Sequence, residues 1–199
     1  MKKAFTLVEM LVVIGIIAVL TAAAAASYSH MTKQAKLSRG QELVDNVYTA
    51  LNTLLNNKGM WPKVVSAEGA GGNGRMRETM TKILLNNGLM SIVSDGKGTL
   101  LGTDRYGIVD PWAEAVLKDR GAGLSRKVTT GGTVEDHILY FAVDGDGDGI
   151  TDVKLPGGSL RVRANVCVWS TGPNGVLDDY RQRGRSDDIY SWSANQIVE

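Results

Sequence analysis

Between Lys3 and His30 the chain carries a single charge, Glu9, inside an otherwise apolar run that reaches Tyr28. Read as a helix, Phe5 to Ser27 spans about 34 Å, against roughly 30 Å for the hydrocarbon core of a bilayer. The segment is therefore expected to cross a membrane once. An acidic side chain in lipid costs on the order of 3 kcal/mol at the bilayer centre and less near its edge, so Glu9 needs a partner. A secretory signal runs from a basic start through a short apolar region to a small-residue cleavage site. Here the acid sits within the apolar region. A cut between Ala4 and Phe5 would free an α-amino group about 6 Å along the helix axis from Glu9. In a staggered bundle of identical helices that amine would meet the next copy's Glu9. The plainer alternative is an acid snorkelling to the membrane surface from the first turn.

The run Lys2-Lys3-Ala4-Phe5-Thr6-Leu7-Val8-Glu9-Met10-Leu11 resembles the class III signal of type IV pilins and type II secretion pseudopilins. The resemblance implies that a prepilin peptidase cuts before Phe5 and methylates the new amine, and that Glu9 guides assembly. Ala4 stands where that family usually has Gly, which keeps a small residue at the cut.

The 199 residues, 43% hydrophobic and 22% charged, suit one globular domain plus a membrane helix. A formal charge of +1 speaks against a nucleic-acid-binding polycation. Cys167 is the only cysteine, so no intramolecular disulfide staples the fold. Met31, Ala35, Leu43, Val44, Val47, Tyr48, Leu51, Leu54 and Leu55 recur at three- and four-residue steps, one apolar stripe on a helix. Asn56-Asn57-Lys58-Gly59 supplies the stop. The predicted division is a leader over 1–4, a transmembrane and assembly helix over 5–28, its amphipathic half over 29–58, and a globular domain over 59–199.

Within that domain, residues 60–105 read as a connecting region with one short helix over Arg75 to Leu85. Gly69-Ala70-Gly71-Gly72-Asn73-Gly74 matches G-x-G-x-x-G. The chain around it lacks the repeated strand–helix units of a nucleotide fold, so a glycine-rich loop is the reading taken. Ile138 to Val143 and Leu160 to Trp169 are antiparallel strand candidates, half buried as a sheet on a helix would be, and Leu100 to Val109 is a third. Trp112, after Asp110-Pro111, is read as a core anchor. The fold class is α+β: a long N-terminal helix packed on a small antiparallel sheet, pilin-like by the resemblance.

Asp144-Gly-Asp146-Gly-Asp148-Gly149-Ile150-Thr-Asp152 places carboxylates at loop positions 1, 3, 5 and 9, with glycine at 6. Such alternation suits calcium, which takes six to eight oxygens, and Ile150 would offer its backbone carbonyl. Leu155 occupies position 12, where an EF-hand has Glu, so the loop is read as a calcium loop within a β-hairpin. The alternative is a solvated acidic turn.

Ser170, Gly172, Asn174 and Gly175, with Asp187, Asp188, Ile189 and Trp192, resemble the closing segment of the major pseudopilin of type II secretion, as does Asp110-Pro111-Trp112. That likeness implies one calcium held by Asp187 and Asp188, with Asn174 in the turn where the family often has Asp, and carbonyls from the turn at 169–172. Calcium is thus expected as a structural cofactor at one or two sites.

No catalytic constellation stands out, and no enzyme is expected. His30 and His137 read as surface or strand histidines, and Arg181, Arg183 and Arg185 as a solvated loop. The expected protein is a subunit of a homo-oligomeric type II secretion pseudopilus. It would be anchored in a bacterial inner membrane by a single pass, with its domain in the periplasm. Its partners would be the prepilin peptidase, an inner-membrane assembly platform and minor pseudopilins, with no nucleic acid. A type IV pilus subunit is the alternative. A soluble calcium-dependent module released near Ala26 is a further one.

Overall fold

The computed structural model describes residues 6–89, 107–113, 126–179 and 186–198, without the side chains of residues 23–27. Two compact units emerge, Met1–Ser38 and Arg39–Glu199. One helix, α1 (Leu7–Lys58), contributes to both.

In the first unit the helix begins in a capping box. The Thr6 N–H and Oγ1–H both donate to Glu9 Oε2 at 2.8 Å, and the Glu9 N–H donates back to Thr6 Oγ1 at 3.3 Å. The apolar side chains beyond it are exposed around the whole helix, from Leu7 at 81% to Val19 at 70%. Among the described residues no helix is long and apolar enough to cross a membrane. The apolar stretch with described side chains stops at Ala22, about 24 Å from Leu7.

In the second unit the expected stripe is buried from Val44 onward: Val44, Val47, Leu51 and Leu54 are shielded from solvent, each contributing about 1.5–3 kcal/mol by burial. Met31 is exposed. The helix stops as predicted, with Gly59 at φ +68° and its N–H bonded to the Leu55 carbonyl at 2.7 Å.

Against this part of α1 lies a four-stranded antiparallel sheet of β1 (Gly74–Arg75), β2 (Tyr140–Val143), β5 (Val166–Ser170) and β6 (Ile189–Tyr190), in the order β1-β2-β5-β6. A second antiparallel sheet holds β3 (Thr151–Leu155), β4 (Gly158–Val162) and β7 (Ile197–Val198), in the order β3-β4-β7. Phe141, Val143, Val166 and Val168 join the helix in one core. Ala142, Cys167 and Trp169, on the opposite face of the same strands, join Val153, Leu160, Val162 and Trp192 in another.

Three expectations change here. The stretch from Leu160 to Trp169 is two strands, because the chain bends at residues 163–165: the Ala164 carbonyl accepts Thr151 Oγ1–H, and the Asn165 carbonyl accepts the Asp144 N–H at 2.9 Å. The first sheet is buried on both faces instead of one, since the β3–β4 hairpin covers the side away from α1, and every residue of β5 is buried. The connecting region holds two helices, α2 (Lys63–Gly69) and α3 (Glu78–Asn86), with Arg75 in a strand. The candidate strand Leu100 to Val109 lies outside the described residues up to 106, and Val109 bridges Ile138.

The glycine-rich run serves close packing. A Cβ on Gly69 would come within 2.6 Å of Phe141 Cε2 and one on Gly74 within 2.9 Å of Phe141 Cε1. Gly72, at φ +84°, accepts the Lys154 N–H on its carbonyl at 2.8 Å. Trp112 is buried, and a Cβ on Gly40 would meet its ring at 3.4 Å.

Candidate metal centre

Two groups of carboxylates converge. In the loop between β2 and β3, oxygens of Asp144, Asp146 and Asp148 lie within 4.8 Å of one another. Ligands on opposite sides of a calcium ion stand about 5 Å apart, so this spacing fits one ion. The loop is shaped by its own amides. Asp144 Oδ1 accepts the N–H groups of Asp146 (3.2 Å) and Gly147 (2.7 Å), and its Oδ2 accepts that of Gly149 (2.8 Å). Burial disfavours the Asp144 charge, but these amides outweigh it and hold its carboxyl below the usual range. The Ile150 N–H donates to Asp148 Oδ1 at 2.8 Å. Asp152 stands apart on β3, 3.7 Å from the Arg161 guanidinium, which also approaches Asp148 at 3.7 Å.

The second group joins Asp178, Asp187 and Asp188, again within 4.8 Å. Asp188 Oδ2 accepts the Asp178 N–H at 2.9 Å and the Tyr190 hydroxyl at 2.7 Å, while the Asp187 N–H donates to Asp178 Oδ2 at 3.3 Å. Asp187 Oδ1 and Asp188 Oδ1 are shielded from solvent, with no hydrogen-bond partner among the described residues. Burial pushes the Asp188 carboxyl up to about 6, and burial with the neighbouring Asp178 charge raises Asp187 as well. Like charges gathered around orphaned acceptors are a donor set that could hold a cation. An all-oxygen donor set favours a hard ion such as calcium over zinc or copper.

Asn174 faces the group through its backbone, which works against the rise in the Asp187 pKa. Its side-chain Oδ1 accepts the Val176 N–H at 2.6 Å instead. Asp178, not among the expected ligands, completes the group. Arg181, Arg183 and Arg185, like Ala4 and Phe5, lie outside the described residues.

Beneath this site is a buried polar node that the sequence reading missed. His137, expected at the surface or on a strand, is 1% exposed and Asp110 is 0% exposed. His137 Nδ1 meets Asp110 Oδ2 at 2.9 Å and its Nε2 meets the Gly131 carbonyl at 2.9 Å. Both partners only accept, so both ring nitrogens carry hydrogen and the ring is an imidazolium. Burial lowers the His137 pKa, yet Asp110 and the Gly131 carbonyl together raise it above its ordinary value. Ser170 Oγ donates to the same Asp110 oxygen at 2.9 Å. These are the residue types of a hydrolytic triad in another arrangement. The serine donates to the aspartate, and neither histidine nitrogen is free to take its proton.

A long N-terminal helix with a Phe-Thr-x-x-Glu start, carrying an antiparallel α+β domain, defines a type IV pilin-like protein. The chain matches the prokaryotic N-terminal methylation motif over residues 1–25. It is 28% identical over 92 residues to the Type IV major pilin protein PilE of Neisseria gonorrhoeae, covering 46% of this chain and 55% of that protein. The match thus spans little more than half of the relative's length. No solved structure matches the chain. The motif and this match support a type IV pilin-like protein.

Proposed function

We propose that the chain is the main structural subunit of a type II secretion pseudopilus, with calcium as a clamp on its C-terminal loop. The observation that carries this reading is the group of Asp178, Asp187 and Asp188, whose two sheltered oxygens have no partner among the described residues. A bound calcium would supply the charge that these oxygens face, and the Tyr190 hydroxyl and the Asp178 N–H would keep the Asp188 carboxylate in place. The Asp144 loop is a second calcium site, shaped in advance by backbone amides.

Prepilin peptidase cuts before Phe5 and methylates its amine. Residues 5–28 cross the inner membrane, and the subunit polymerises through this helix onto an assembly platform with minor pseudopilins. The uncovered side chains from Leu7 to Leu20 support burial in lipid or among neighbouring copies. The match to PilE favours a second reading, a type IV pilus subunit.

The test is the mass of the mature N-terminal peptide from the natural host, followed by imaging of the filaments. A start at N-methylated Phe5 with short periplasmic filaments is expected. Surface filaments would favour the pilus reading, and a start near Ser27 would overturn both.

A further inference from the structure

The turn that follows β5 is held from below by the buried node. Ser170 Oγ, which donates to Asp110, also accepts the Gly172 N–H at 3.2 Å. The Thr171 hydroxyl donates to the Asp136 carbonyl at 2.9 Å. A Cβ on Gly175 would come within 2.8 Å of His137 Nε2, and the backbone of Asn174 lies against Gly131, whose carbonyl that nitrogen binds. The carboxylate group sits on the other side of this turn. Gly172, at φ +63°, touches the Asp187 backbone so closely that a Cβ there would collide with the Asp187 carbonyl. The Asn174 backbone favours the charged form of the Asp187 carboxylate. Both surfaces of the turn are therefore committed, one to His137 and Asp110, the other to Asp187.

We infer that His137 is a positioning residue for the site of Asp178, Asp187 and Asp188, acting through Asp110 and Ser170 on the turn that Asp187 leans on. This rests on the calcium reading of that site. The charged ring bridges Asp110 and the Gly131 carbonyl, so it joins the Asp110 turn to the loop at 126–137. Once it loses a proton, one ring nitrogen faces an acceptor with nothing to donate. The charged groups that face it are Asp110 and Asp136, both of which favour the imidazolium.

The consequence is an unusual pH dependence. A site made only of carboxylates gains or keeps calcium affinity as pH rises. Here affinity falls as pH rises and His137 deprotonates. The experiment is calcium titration of the full chain in detergent micelles, with Asp188→Asn identifying the C-terminal site. Ser170→Ala, which leaves the ion pair intact, is expected to weaken that site about tenfold. His137→Gln should weaken it at least as much and flatten the profile. Val44→Ala, a helix substitution in the first core, should lower thermal stability and leave affinity unchanged.

A wild-type profile that stays flat or rises with pH, or unchanged affinity in both variants, would overturn the inference while the calcium reading stands. Where His137→Gln does not fold, Ser170→Ala and the wild-type profile decide. A wild-type chain whose binding is untouched by Asp188→Asn removes the calcium reading of this site, and the inference with it.

Discussion

Removing the Asp110 carboxylate leaves a buried imidazolium without its counter-ion and orphans the Ser170 hydroxyl and the Trp112 N–H, which donates to Asp110 Oδ1 at 3.1 Å. Breaking a buried pair in this way costs about 3–5 kcal/mol. Asp110→Ala is expected to lose that much in chemical denaturation. Asp188 behaves in the opposite sense. Its folded pKa is raised to about 6, so its contribution is greatest when it is protonated and is lost as pH rises through 6. The calcium-free protein should therefore become more stable as pH falls from 7 to 5. Asp188→Asn should weaken that trend and stabilise the calcium-free protein at pH 7.5, while removing the gain from added calcium at the C-terminal site. Thermal unfolding across pH, with and without calcium, measures both.

At the scale of elements, the central sheet is covered on both faces, and its covering pieces approach through glycine. The C-terminal end of α2 meets β2 at Gly69, with Phe141 directly opposite. Gly69→Ala forces a methyl group to within 2.6 Å of that ring, and overpacking of this kind costs about 1–3 kcal/mol. A lower melting temperature with an unchanged response to calcium is the expected result; a change confined to calcium binding would mean the run does more than pack. Cys167 sits in the inner core, where burial pushes its thiol up to about 12. It is expected to resist thiol reagents in the native protein and react on unfolding.

At the scale of the molecule, the described apolar side chains of the first unit from Leu7 to Leu20 are exposed, whereas the second unit builds two cores. In the proposed function, assembly belongs to the first unit and calcium to the second, so the two can be tested apart. Glu9→Ala removes the partner of the Thr6 N–H and, in the proposed filament, of the neighbouring amine. Filament yield is expected to fall while processing before Phe5 continues; normal filaments would refute the pairing. Calcium removal should instead expose the loops at 144–152 and 170–192 to protease without altering the N-terminus.

The long helix, its stop at Gly59, the antiparallel α+β class and the acidic spacing at 144–148 were legible in sequence, because each follows from local periodicity or local turn chemistry. The pattern over Leu160 to Val168 kept its alternation across a bend, so one strand and two strands looked alike. The two-sided burial of β5 depends on a hairpin far along the chain, which no window of residues contains. Asp178 joins Asp187 and Asp188 only where the loop closes, and the charge on His137 arises from Asp110 and Gly131, both distant or unmarked in sequence. Periodicity determines which elements form and which of their faces are apolar. What the tertiary structure decided is which polar atoms are taken out of water together, since desolvation and charge pairing act through space and not along the chain.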